Sequence, residues 1–211
     1  MQVYLVRHPR PLVAPGVCYG ASDVVCSAEV LESAADYLTA ALPKGLRLLS
    51  SPLSRCEQLA QILCGREAGF AYKTDDRLAE MNFGAWEMQA WAAIAPDELS
   101  AWTDSFASYR CGGTGQSTGI FVQRVAQRLL ESARSGQDQI WITHAGVIRA
   151  VQWLSQQPFE TVIAMADSQA VPFELLASDW PRSELAYCQV LRWGEPTHWP
   201  KHWPAVLQSA V

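Results

Sequence analysis

The chain has 211 residues, of which 49% are apolar and 18% charged, a balance that suits one domain, or one domain with an insertion, and excludes a disordered chain. Its net charge of −5 argues against a general nucleic-acid binder, which carries a basic face, but still permits an anion site where a few arginines are focused in one cleft. No apolar run reaches the length of a membrane span and Met1 to Val6 is too short for a secretory core segment, so a cytoplasmic protein with reduced thiols is expected; Cys18, Cys26, Cys56, Cys64, Cys111 and Cys188 form no Cys-x-x-Cys pair.

The pattern along the chain alternates strands with helices. Gln2 to Val6 reads as a buried strand, followed by a Pro- and Gly-rich loop from Pro9 to Ser27. Ser27 is placed to cap a helix running from about Ala28 to Ala41, which Pro43 stops. Leu46 to Ser50 is a second strand. A helix follows from Leu53 to about Glu67, with Cys56, Leu59, Ala60 and Leu63 on one face. Tyr72 to Thr74 suggests a short strand, and Arg77 to Trp86 a loop. Trp86 to Tyr109 reads as one or two helices broken at Pro96, ahead of a glycine loop, Cys111 to Gly115. Phe121, Val125, Leu129 and Ala133 recur at helical spacing within Ser117 to Ser135. Gln139 to Thr143 is a strand, and a helix begins right after His144. Val171 to Ala177 and Ala186 to Trp193 read as two later strands, an antiparallel edge pair. This alternation predicts an α/β fold, a three-layer αβα sandwich on a mainly parallel sheet, forming a single domain over 1–211 with a helical excursion near 86–116 over the cleft.

In such a sheet the loops at the carboxyl ends of parallel strands converge on one crevice. Three of them bring chemistry: Arg7-His8, Arg55 just past the second strand, and His144. A neutral imidazole can attack phosphorus, and guanidinium groups hold a phosphoryl group through paired hydrogen bonds while disfavouring protonation of the nucleophile. Each histidine alone reads more readily as an ordinary core or surface residue; their shared position after apolar strands, with arginines beside them, favours the catalytic reading. A leaving alkoxide needs a proton, for which Asp75, Asp76, Glu80 and Glu87 are candidates. Spacing alone does not choose among them. Glu80 precedes an apolar, aromatic stretch that favours a protonated carboxyl, whereas Asp75 and Asp76 sit in a polar turn and are expected to be solvated.

The same residues resemble the histidine phosphatase superfamily, the phosphoglycerate mutase-like proteins. The resemblance rests on Arg7-His8-Pro9, on Ser50-Ser51-Pro52-Leu53-Ser54-Arg55-Cys56-Glu57-Gln58-Leu59-Ala60, on Leu78-Ala79-Glu80 followed by Phe83-Gly84-Ala85-Trp86-Glu87, and on Thr143-His144-Ala145-Gly146, in order over about two thirds of the chain. Each motif is weak alone, and together they are strong. The resemblance implies that His8 becomes phosphohistidine, that Arg7, Arg55 and His144 bind the phosphoryl group, and that Glu80 gives a proton and then activates water. It implies no metal and no cofactor, with a small-molecule phosphate ester as partner rather than nucleic acid or membrane.

Three positions depart from the family pattern. Pro9 replaces the usual glycine and removes an N–H. Ala14 stands where many members carry an asparagine, and Gln116 where glutamate is common. The string from Glu80 to Met88 is similar to the alpha-ribazole phosphatases of cobalamin assembly, which makes alpha-ribazole 5′-phosphate the leading named substrate, ahead of a sugar phosphate or a phosphoprotein. The alternatives are a phosphoglycerate mutase-type phosphotransferase and a catalytically silent binding relative. The tail from Trp193 to Trp203 has tryptophans, prolines and two histidines. It reads as irregular packing over the domain, with a lid or an oligomer contact, such as a homodimer, as the other uses. Pro200 between His198 and His202 speaks against a metal pair.

Overall fold

The structure, a computed structural model, describes residues 1–67, 71–167 and 174–194. Five strands form one sheet in the order β3-β2-β4-β1-β5: β1 (Val3–Arg7), β2 (Arg47–Ser50), β3 (Tyr72–Thr74), β4 (Gln139–Thr143) and β5 (Val190–Trp193). The first four are mutually parallel, and β5 runs antiparallel along β1. β1 and β4 are nearly continuous apolar runs because helices cover both faces of the sheet.

Alternate residues of each strand feed two separate cores. Val3, Leu5, Leu49 and Trp141 point into one, with α4 (Thr118–Ser135), α5 (Ala145–Leu154) and α6 (Phe159–Asp167). Tyr4, Val6, Leu48, Ile140 and Ile142 point into the other, with α1 (Ala28–Ala41) and α2 (Ser54–Arg66). This is the three-layer αβα arrangement expected from the alternation. Leu59 and Leu63 on α2 are fully buried, each contributing roughly 1.5–3 kcal/mol of transfer free energy.

Local signals set most helix ends. Ser27 Oγ accepts from Val30 N at the start of α1, and Ser117 Oγ accepts from Ile120 N at the start of α4. α4 stops at Gly136, whose φ of 65° is the left-handed C-cap. Asp23 reaches across from the first loop, and its carboxylate accepts from Ser54 N at 2.7 Å and Ser54 Oγ at 2.8 Å. That bond fixes the first turn of α2, and with it Arg55.

Four features differ from the sequence reading. Pro96 opens a helix rather than breaking one: α3 is Pro96–Asp104 with Pro at its start, where a missing N–H is harmless, and the preceding residues form only 3-10 turns at Gly84–Trp86 and Trp91–Ala93. α6 has no counterpart in the sequence reading. Of the expected strand from Val171 to Ala177, residues 171–173 lie outside the described part, 174–176 are irregular and Ala177–Asp179 is a 3-10 turn. The strand expected from Ala186 begins only at Val190 and pairs with β1. The tail beyond residue 194 also lies outside the described residues.

Candidate active site

The carboxyl ends of β1, β2 and β4 lie side by side, in a register that pairs Arg7 with Thr143 and Ser50 with Ile142. The ladder continues one step beyond the strands, since His8 N donates to Thr143 O and Ser51 N donates to Ile142 O, both at 2.9 Å. This step places His8, Ser51 and His144 in a row at the mouth of the sheet, with the two imidazole centroids 5.1 Å apart.

Both histidines are almost wholly buried. His8 Nδ1 lies 2.6 Å from the carbonyl oxygen of Pro9. A carbonyl can only accept, so Nδ1 carries the proton and Nε2 keeps the lone pair. The backbone carbonyl of residue 9, which a glycine would present equally, thus supplies the contact that selects the tautomer. Burial, then the charge of Arg55 and that of Arg7, hold His8 well below 6.5, although the Pro9 hydrogen bond opposes them. Burial foremost, then Arg55 and His8, do the same to His144. His144 Nε2 lies 2.7 Å from Ser51 Oγ, and its Nδ1 is buried without a hydrogen-bond partner among the described residues. Cys56 Sγ is 3.5 Å from the same Nε2, but burial pushes this thiol far up, so it stays protonated.

The two arginines are anchored by backbone carbonyls rather than carboxylates. Arg55, fully buried, donates Nη1 to Ser22 O at 2.8 Å and Nη2 to Gly20 O at 2.6 Å. Arg7 donates Nη1 to Leu185 O. Neither forms an ion pair among the described residues, and the Nε of each is buried and unsatisfied. Glu57, on the same helix as Arg55, accepts from the Tyr72 hydroxyl. Carbonyl anchoring leaves the positive charge uncompensated, which suits an anion site.

Glu80 faces this group from the loop after β3. Its Oε1 accepts from Met81 N and its Oε2 from Gly146 N, each at 3.0 Å. The missing side chain of Gly146 leaves room for this carboxylate, since a Cβ would lie 2.1 Å from Glu80 Oε1. Arg124 holds the same loop from behind, donating to the carbonyls of Arg77, Ala79 and Glu80 and to Gln116 Oε1. Gln116 Oε1 also accepts from Asn82 N, a role an amide fills without charge.

The other carboxylates are engaged elsewhere. Asp75 is not solvated as the sequence suggests. It pairs with Arg77 and approaches Arg128; partial burial pushes its carboxyl up, but hydrogen bonds and charge from Arg77 outweigh this and hold it below the usual range. Glu87 Oε1 accepts from Ala21 N and Phe83 N at 2.9 Å, and its Oε2 from Ser22 Oγ, tying the first loop to the loop after β3. Asp76 is exposed at the start of a 3-10 turn.

A cavity of about 360 Å³ opens from Arg7, His8 and Glu80. Its far walls are aromatic: Phe83, Trp91, Trp102, Phe106, Phe121 and Trp180. Trp91 and Trp102 stack at 6.3 Å, and Phe83 meets both edge-on. The Trp102 indole N–H is taken by Thr118 Oγ1 at 3.3 Å, so the ring offers an apolar face. Arg149 on α5 also lines the cavity, with its Nε unsatisfied. Sequence reasoning missed Arg149 and Trp180. Only their place in space joins them to the site, apart from the helical offset that puts Arg149 one turn beyond Gly146.

Comparison with known proteins agrees with this geometry. The family model described as histidine phosphatase superfamily (branch 1) matches residues 3–167. Among solved structures, a phosphoglycerate mutase from Thermus thermophilus is 31% identical, with a TM-score of 0.60 over 74% of this chain and 85% of that one. The protein TTHB049 of the same organism is 32% identical, with a TM-score of 0.60 over 74% of this chain and 86% of that one. A mycobacterial glucosyl-3-phosphoglycerate phosphatase shares the fold at 24% identity and a TM-score of 0.62, over 78% of this chain and 82% of that one. A comparison with curated proteins returned no match. With four motifs at one strand-end crevice and a family match over most of its length, the chain belongs to branch 1 of the histidine phosphatase superfamily and is a phosphatase enzyme of phosphoglycerate mutase-like fold.

Proposed function

We propose that this enzyme hydrolyses a small-molecule phosphomonoester through a phosphohistidine on His8. The observation that carries this reading is the setting of His8: a buried imidazole with Nδ1 on the Pro9 carbonyl and its lone pair on Nε2, its pKa held low, beside two guanidinium groups that no carboxylate among the described residues pairs with. Nε2 attacks phosphorus as the ester P–O bond breaks, and Arg7, Arg55 and His144 take the charge spread over the equatorial oxygens. Glu80 gives a proton to the leaving oxygen. It then removes one from the water that attacks the phosphohistidine, which returns His8 and releases phosphate. No step draws on a metal or cofactor.

The leaving group occupies the aromatic-walled cavity. Those apolar faces, together with the sequence from Glu80 to Met88, favour alpha-ribazole 5′-phosphate, whose fused-ring base is flat and aromatic, over a bare sugar phosphate. Phosphoglycerate mutation is the second reading, raised by the 31% identity to a protein so named. Turnover of p-nitrophenyl phosphate in excess EDTA tests the chemistry, and a panel with alpha-ribazole 5′-phosphate and 3-phosphoglycerate tests the substrate. Metal-insensitive hydrolysis with preference for the aromatic ester is expected. Loss of activity in EDTA, or faster phosphate transfer to a glycerate than to water, contradicts the proposal.

A further inference from the structure

Tyr19 and Tyr187 stand 168 positions apart, yet their hydroxyls lie 3.4 Å from each other. Tyr19 belongs to the loop after β1, and Tyr187 to the segment entering β5, beyond residue 167 where the family match ends. Each ring carries one of the arginines that flank His8. The Arg7 guanidinium carbon is 4.0 Å from the Tyr187 centroid, and that of Arg55 is 5.1 Å from the Tyr19 centroid. The His8 ring sits between them, 5.7 Å from Tyr187 and 6.4 Å, edge-on, from Tyr19.

The backbone repeats this arrangement on both sides. Arg7 N donates to Gln189 O, Cys188 N donates to Arg7 O, and Arg7 Nη1 donates to Leu185 O, so the segment with Tyr187 is tied to Arg7. Arg55 donates to Gly20 O and Ser22 O, so the loop with Tyr19 is tied to Arg55. Arg7, Tyr187, Tyr19 and Arg55 therefore form a continuous run of contacts beside His8.

We propose that Tyr19 and Tyr187 are positioning residues that clasp the phosphate clamp: their rings fix the guanidinium planes of Arg7 and Arg55, and the contact between their hydroxyls ties the two rings together. Ring faces attract guanidinium and restrict its tilt, which matters because paired hydrogen bonding to phosphate depends on the orientation of the plane. At 3.4 Å the hydroxyl pair is a long contact that links the two rings. Burial and the bond to Tyr187 push the Tyr19 phenol up, so it stays protonated at working pH. At 37% exposure Tyr187 contributes little to the core, so its substitution reads out the site rather than the fold.

This inference rests on the reading of Arg7 and Arg55 as the clamp, and vanadate affinity, measured by calorimetry without any turnover, separates the two. The wild type is expected to bind vanadate. Tyr187→Ala is expected to weaken it about 3- to 30-fold, the range a cation–π contact covers. Tyr187→Phe keeps the ring and is expected to recover most of that loss, with a remaining deficit that Tyr19→Phe reproduces. In an Arg7→Ala background, Tyr187→Ala is expected to add nothing, because the ring acts through Arg7. If the wild type fails to bind vanadate, the clamp is wrong and the clasp falls with it. If the wild type binds but Tyr187→Ala binds equally well, the clasp is overturned and the clamp stands. Full multiplication of the Arg7→Ala and Tyr187→Ala losses, or equal losses in Tyr187→Ala and Tyr187→Phe, also overturns the ring's role.

Discussion

A histidine in water titrates near pH 6.5, so half of it is unavailable as a nucleophile there. His8 escapes this because burial and two neighbouring arginines penalise its cation. Two consequences follow from the sign of the shift. The acid limb of single-turnover phosphorylation, corrected for substrate ionisation, should lie below pH 6.5; a limb at or above that value contradicts a neutral buried His8. His8 and His144 both stay neutral in the folded state while their unfolded counterparts take up protons below 6.5. Stability should therefore be undiminished by them above 6.5 and fall as pH drops from there towards their folded values. Removing both histidines should flatten that part of the urea-midpoint profile. Glu80 is a carboxylate lining the same cavity as Arg7 and His8, and general acid help, its proposed role, is typically worth about 10²- to 10⁴-fold. Glu80→Gln should lose that much on an alkyl phosphate and less on p-nitrophenyl phosphate, whose leaving group needs no proton. An undiminished rate on both esters assigns the proton to another group.

Among the elements, the start of α5 shows how a small residue serves a distant one. Gly146 donates its N–H to Glu80 and leaves the space that Glu80 occupies. Gly146→Ala should keep the fold, since the clash is with the end of a flexible side chain, yet cut turnover of alkyl phosphates nearly as Glu80→Gln does; a wild-type rate shows that Glu80 works from another position. The network of Asp75, Arg77, Arg128 and Glu131 ties β3 to α4 and stands apart from the chemistry. Asp75→Asn should cost about 1.5–3 kcal/mol in urea unfolding and leave kcat/KM near wild type. A catalytic loss at full stability instead makes Asp75 a participant. The helices and strands are largely readable from sequence because burial imposes a period: the apolar faces of α1, α2 and α4 and the runs of β1 and β4 declare themselves. α6 does not, since its nine residues follow Pro158 and span too few turns to set a pattern. Pro96 misleads because the same residue breaks a helix in its interior and begins one at its first turn.

Across the whole molecule, a net charge of −5 coexists with a cleft in which the charges that act on His8 are those of Arg55 and Arg7. The fold achieves this by holding Arg7 and Arg55 with carbonyls and sending the available carboxylates elsewhere: Glu87 to the first loop, Asp23 to the cap of α2, Asp75 to Arg77. The sequence reveals the four strand-end motifs because each is local. It does not reveal the sheet order, the aromatic cavity or the tyrosine pair, because contacts between positions such as 19 and 187 leave no periodic trace. The proposed chemistry turns on a covalent bond to one nitrogen. Rapid mixing with a phosphorus-labelled phosphomonoester, a denaturing quench and peptide mapping of the adduct test it directly. An acid-labile, base-stable phosphoryl group on His8, formed at least as fast as turnover and absent in His8→Ala, is the predicted result. Turnover with no such adduct, or label on Ser51, Ser54 or Cys56, contradicts it.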